Sequence, residues 1–145
     1  MKLKAIIPTF LAASLQLLFG LVYIFRNEFM PYHAQAVGIE WEQVSESFQY
    51  LFIAGMKIAG VGFLMSSMMV AYLQIQFMKD FHKWIPNLIL FIGTMSYIGS
   101  MSAILIVKFN TQGNPPYLLA TAGWILIIVG YFFNRRFVKA TEINV

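Results

Sequence analysis

Long runs without charge alternate along the chain with short polar stretches, and the runs have the length of membrane spans. A hydrocarbon layer of about 30 Å needs roughly 20 apolar residues in a helix that rises about 1.5 Å per residue. Four stretches meet that requirement: residues 5–25, 85–107 and 117–133 hold no side chain charged at neutral pH, and residues 48–73 hold only Lys57. Amides in hydrocarbon have no water to bond, and the period-two alternation of a barrel strand is absent, so all four are predicted to be helices. The first run follows Met1, Lys2, Leu3 and Lys4, as a secretory signal would. It is too long for one and passes into Tyr23, Ile24, Phe25 and Arg26 without a small-residue cleavage site, so it reads as a retained anchor.

Small residues recur at helical spacing within these runs. Lipid tails are as apolar as leucine, so helices in a bilayer associate where small side chains let backbones approach. Thr9, Ala13, Gln16 and Gly20 share one face of the first helix, and Gly55, Ala59, Gly62 and Ser66 share one of the second. Gly93, Ser96, Ser100 and Ala103 recur in the third, and Gly123 and Gly130 in the fourth. All are expected to point inward. Asn114 is placed to cap the fourth helix, with Pro115 and Pro116 in its first turn. The connections 74–84 and 108–116 are short enough to force antiparallel neighbours. The expected fold is therefore all-α: a single polytopic membrane domain over 1–145, an antiparallel four-transmembrane-helix bundle with one longer extracytoplasmic loop at 26–47.

Composition and charge agree with this reading and orient it. The chain is 59% apolar and 11% charged, which is not a water-soluble composition. Its net charge of +4 comes from Lys and Arg lying mostly between apolar runs, with no basic tract interleaved with aromatics, so no nucleic-acid partner is expected. Lys2, Lys4, Lys79, Lys83, Arg135, Arg136 and Lys139 fall on one side of the predicted spans, and Arg26 and Lys108 with four glutamates on the other. Seven cations against two place the N-terminus and C-terminus in the cytoplasm. Tyr32, Trp41, Tyr50 and Tyr117 then lie near the outer interface and Tyr72, Trp84 and Tyr131 near the inner one, where amphipathic rings are best accommodated.

Candidate chemistry is sparse. With no cysteine there is no disulfide, thiolate metal site, iron–sulfur cluster or cysteine nucleophile. The two histidines, His33 and His82, fall on opposite sides of the predicted membrane, which excludes bis-histidine haem within one chain. No carboxylate lies within a span, unlike proton-coupled exporters of this size. Met65, Met68 and Met69 offer thioethers for copper(I), but packing is the ordinary use of such residues. Gln16 and Gln49 read as amides bonding across the bundle.

Lys57 is the charged residue within a span, and a charge there is a functional hypothesis by default. Its side chain leans toward the helix N-terminus, the outer surface, and can snorkel toward Glu28 or Glu46. A ligand site is best placed at the outer mouth, where segment 26–47 folds over Lys57 and Tyr50. The candidate ligand-binding residues are accordingly Lys57, Tyr50, His33, Trp41, Glu28 and Glu46. No recognised spacing among them supports a metal, a cofactor or a catalytic constellation.

The stretch Met30-Pro31-Tyr32-His33-Ala34-Gln35-Ala36-Val37-Gly38, then Trp41, then Ala54-Gly55-Met56-Lys57-Ile58-Ala59-Gly60, resembles a group of small bacterial four-helix membrane proteins distantly similar to DoxX-like proteins. The proline pair Pro115 and Pro116 fits the same pattern. The resemblance implies a bacterial cytoplasmic membrane and carries over no catalytic residue. The function expected is non-enzymatic binding of a lipid, a small apolar ligand or a membrane partner. The alternatives are a transporter or channel subunit acting as a homo-oligomer, and an enzyme at the outer interface using His33 with Glu40 or Glu42.

Overall fold

The computed structural model describes residues 2–142, and the side chains of 6–138. The charges of Lys2, Lys4 and Lys139, counted above for orientation, thus lie outside the described side chains. Five α-helices and a short 3-10 turn follow one another: α1 (Lys2–Phe25), α2 (Pro31–Val37), the turn Trp41–Gln43, α3 (Glu46–Asp80), α4 (Ile85–Asn110) and α5 (Tyr117–Glu142). No strand occurs among the described residues. The four long helices, α1, α3, α4 and α5, are each long and apolar enough to cross a membrane.

α1 packs against α3 and α5, and α4 packs against the same two, so the helical bundle closes as a ring of four. Buried hydrogen bonds bridge both diagonals of the ring. Tyr97 Oη of α4 donates to the Ala12 carbonyl of α1 at 2.9 Å. The side-chain amides of Gln74 on α3 and Asn134 on α5 exchange bonds of 2.8 and 3.3 Å.

Two connections differ from those expected. α3 continues through Gln74, which is fully buried, to Asp80, so the connection expected over 74–84 shrinks to 81–84. Phe81 ends the helix in the left-handed conformation, φ 52°, its amide donating to the Phe77 carbonyl. Segment 26–47 contains α2 and the 3-10 turn. α5 begins after both prolines, with the Pro116 carbonyl accepting from the Ala120 amide, which leaves the exposed Asn114 outside the capping position expected for it.

The small-residue stripes divide into two kinds. On α1, Thr9, Ala13, Gln16 and Gly20 are all buried, as expected. Gly123 and Gly130 of α5 are buried too, lying against Tyr97 and Thr9. On α3 the packed face is a different one. Met56, Gly60, Ser67 and Val70 are buried, and a Cβ on Gly60 would stand 2.9 Å from the Gly20 carbonyl oxygen and 3.0 Å from the Ile24 amide nitrogen. Residues 60 and 62 point about 200° apart around a helix, so once α1 docks on Gly60 the stripe through Gly62 is turned away from it. Gly55 and Gly62 have nothing within 4 Å of a built Cβ. The expectation that this stripe packs inward is corrected accordingly.

Candidate functional site

The unpacked stripe of α3 faces the small residues of α4 across a cavity of about 660 Å³. Ala59, Gly62 and Ser66 line one wall and Ser96, Ser100 and Ala103 the other. Gln16, Phe19 and Tyr23 of α1 line its back, and Tyr32 and His33 of α2 close the end nearest the 26–47 segment. The exposed residues Gly62, Met95 and Gly99 are part of its lining, so the space opens sideways between α3 and α4.

The closing element is held firmly. Pro31 at the start of α2 and Gly38 after it, at φ 77°, set the ends of this short helix. The buried Phe29 stacks edge-on against Trp41 and Phe52, each with ring centroids at 4.8 Å, and His33 meets Phe52 at 4.9 Å. On the other side Gly113 lies so close to the Tyr32 carbonyl that a Cβ there would approach it to 2.7 Å. α2 is thereby wedged between α3 and the segment that joins α4 to α5.

The polar atoms of the lining have a common character. His33 Nδ1 accepts from the Met30 amide at 3.1 Å, so the neutral ring carries its proton on Nε2. Burial, and then the nearby Arg26 guanidinium, push the His33 pKa down to about 4, which keeps the ring neutral at ordinary pH. Among the described residues that Nε2 has no hydrogen-bond partner. Tyr23 and Tyr32 share one bond of 2.6 Å between their hydroxyls. Burial, with Tyr23 beside it, raises the Tyr32 pKa well above that of an ordinary phenol, so it stays protonated. Two phenols hold two protons and this bond uses one, leaving the second for another acceptor. Deeper in, Gln16 is 1% exposed; its Oε1 accepts from Ser66 Oγ at 3.2 Å and its Nε2 has no partner among the described residues. Among the described residues, no carboxylate, lysine or arginine lines the cavity.

Of the six residues singled out from the sequence, His33 lines this cavity and the other five stand outside it. Lys57 reaches toward the 26–47 segment, to backbone and amide oxygens. Its Nζ donates to the Ile24 carbonyl at 2.5 Å and to Asn27 Oδ1 at 3.0 Å, closing the C-terminal end of α1. Glu28 pairs with Arg26 at 2.8 Å, and Glu46 accepts from Tyr50 Oη at 2.9 Å. Trp41 belongs to the aromatic wedge, and Gln49, expected to bond across the bundle, donates to the Trp41 and Val44 carbonyls instead. Met65, Met68 and Met69 are exposed on the outside of α3. Among the described residues no group of three or more His, Asp or Glu is gathered as a metal would need.

The residues that sequence reasoning missed are Tyr23, Tyr32 and the serines of α3 and α4. Their signal was a stripe of small residues on two successive helices, which is also the signal for close packing. Compared with protein-family models, with curated proteins and with solved structures, the chain has no match.

Proposed function

We propose that this chain is an integral membrane protein whose four long helices span the bilayer as an antiparallel bundle, with both termini cytoplasmic. In this reading it holds a small apolar ligand between α3 and α4 without acting on it chemically. The outward faces support the lipid setting: Ile58 is 75% exposed, Met65 65% and Leu118 68%, and such a continuous apolar surface is tolerated in hydrocarbon and not in water. The excess of cations opposite the 26–47 segment supports the orientation, and the DoxX-like resemblance supports a bacterial cytoplasmic membrane.

One observation carries the ligand reading: a largely apolar cavity of about 660 Å³, of the size that takes a small molecule, bordered by the buried Gln16, whose amide nitrogen has no hydrogen-bond partner among the described residues. A lipid-soluble molecule enters sideways from the bilayer, past Gly62 and Gly99. The test is to extract apolar molecules from protein purified in mild detergent and identify them by mass spectrometry, comparing the wild type with Gly62→Phe and Gly99→Phe. Both glycines have open space beyond a built Cβ, so a ring at either fills the cavity without displacing a helix. The wild type should carry a stoichiometric molecule, and each variant, equally monodisperse and helical, should retain at least about tenfold less of it. Equal recovery from all three, or nothing recovered from the wild type, overturns the reading.

A further inference from the structure

We propose that the cavity selects an uncharged ligand with carbonyl-type acceptor oxygens toward both of its ends, roughly 10 Å apart. The inference rests on the ligand-binding reading above and specifies its chemistry. The spacing comes from α1. Gln16 and Tyr23 are seven residues, two turns, apart on one face of that helix, and at about 1.5 Å per residue their donors sit at two levels of the same cavity. Tyr32 and His33 join Tyr23 at the upper level.

What remains unbonded at both levels is donors. Ser66 is committed to Gln16 Oε1, Ser100 to the Ser96 carbonyl and Tyr97 to the Ala12 carbonyl. Left over are the Gln16 amide hydrogens below, the Ser96 hydroxyl on the α4 wall and, above, one phenolic hydrogen of the Tyr23–Tyr32 pair and the His33 Nε2 hydrogen, all of them able to donate. A buried donor without an acceptor is costly, so a ligand oxygen that answers the Gln16 amide recovers that cost, and a second oxygen at the upper level adds a hydrogen bond that a hydrocarbon tail cannot make. Charge narrows the class further. A carboxylate would lie among residues that include no cation, and an ammonium among residues that include no anion, each buried without a counter-charge. Ketones, esters and similar neutral oxygens satisfy both conditions. Turning the Gln16 amide over would leave its oxygen unpaired instead and favour a ligand that donates, so a diol reports on that orientation.

The experiment measures binding of four ten-carbon probes to the protein in lipid nanodiscs by calorimetry, with empty nanodiscs subtracted: decane, a decanedione with a ketone beside each end, the matching diol and decanedioate. The dione should bind about 100-fold more tightly than decane, about tenfold for each hydrogen bond, and more tightly than the diol or the dianion. Gln16→Leu should weaken the dione about tenfold and leave decane unchanged, because it removes a donor and keeps the volume. Equal binding of decane and dione, abolished by Gly62→Phe, would overturn this inference while the cavity reading stands. Preference for the diol or the dianion, or a parallel fall of decane and dione in Gln16→Leu, would overturn it as well. Binding of none of the probes would overturn both.

Discussion

The packed helix contacts and the gap between α3 and α4 use the same small residues to opposite effect. Toward the 81–84 connection, Gly93 is filled by Ile127, Gly130 by Thr9, and the core of Val70, Leu73, Phe77, Ile85 and Ile89 leaves little space. Toward α2, Gly55, Gly62 and Gly99 meet nothing, and α3 and α4 stand apart. A small residue permits close approach without causing it. Approach follows where the opposite helix presents a shape that fits, as Ile127 does for Gly93, and where the chain leaves no slack, as at the four-residue turn 81–84. At the other end α3 and α4 are joined through no short connection, and the wedge of α2 holds the gap.

The sharpest way to break this comparison is to place the same bulk on both sides of α3. Gly60→Leu forces a side chain into the Gly20 carbonyl and the Ile24 amide, backbone atoms that cannot swing aside, and should destabilise the bundle by about 3 kcal/mol or prevent its recovery. Gly62→Leu, two residues on, enters open space and should leave stability within about 0.5 kcal/mol of the wild type. Unfolding by graded denaturing detergent, followed by circular dichroism, reads both. A similar loss for the two variants would mean that the gap beside Gly62 closes in the folded protein.

A smaller effect is expected at the polar contact of the packed end. Gln74→Leu leaves the buried Asn134 amide without its partner and should cost about 1–2 kcal/mol. Replacing both, Gln74→Leu with Asn134→Leu, should recover most of that loss, since two apolar groups leave nothing unpaired. If the double variant is as unstable as the sum of the two single ones, the amides are not coupled and the diagonal from α3 to α5 is held by other contacts.

That amide pair also shows what was legible in the sequence and what was not. All four long helices were evident from apolar run length, because hydropathy is a sum over neighbours and needs no knowledge of contacts. Apolar run length ends the spans at 73 and 133, one residue short of Gln74 and Asn134, because each amide taken alone is polar. Their burial depends on a mutual bond between residues 60 apart, which a local sum cannot register. The stripe on α1 was read rightly and the one on α3 wrongly for a related reason. α3 carries small residues on two sides, Gly60 on one and Gly62 on the other, and which side docks is decided by the shape of α1. His33 is a candidate from the sequence and does line the cavity, but run length alone makes Tyr23 part of a span and Tyr32 an interfacial ring. Their shared hydrogen bond is a product of how α2 folds back.

The smallest effect is predicted at the residue that drew most attention in the sequence. Lys57 sits among apolar neighbours, yet its amine lies at the end of α1, bonded to Ile24 O and Asn27 Oδ1, and it is not part of the cavity lining. Removing it takes a cation from a helix C-terminus and one donor from the Ile24 carbonyl and the Asn27 amide oxygen, contributions of about 1 kcal/mol or less. Lys57→Leu should therefore shift stability by no more than that, partly offset by the apolar side chain it gains, and should leave the recovery of a bound molecule unchanged beside the loss seen with Gly62→Phe. The comparison is direct because the two residues belong to one helix. A fall in recovery with Lys57→Leu at unchanged stability would move the ligand to the outer mouth, against the amine, and away from the gap between α3 and α4.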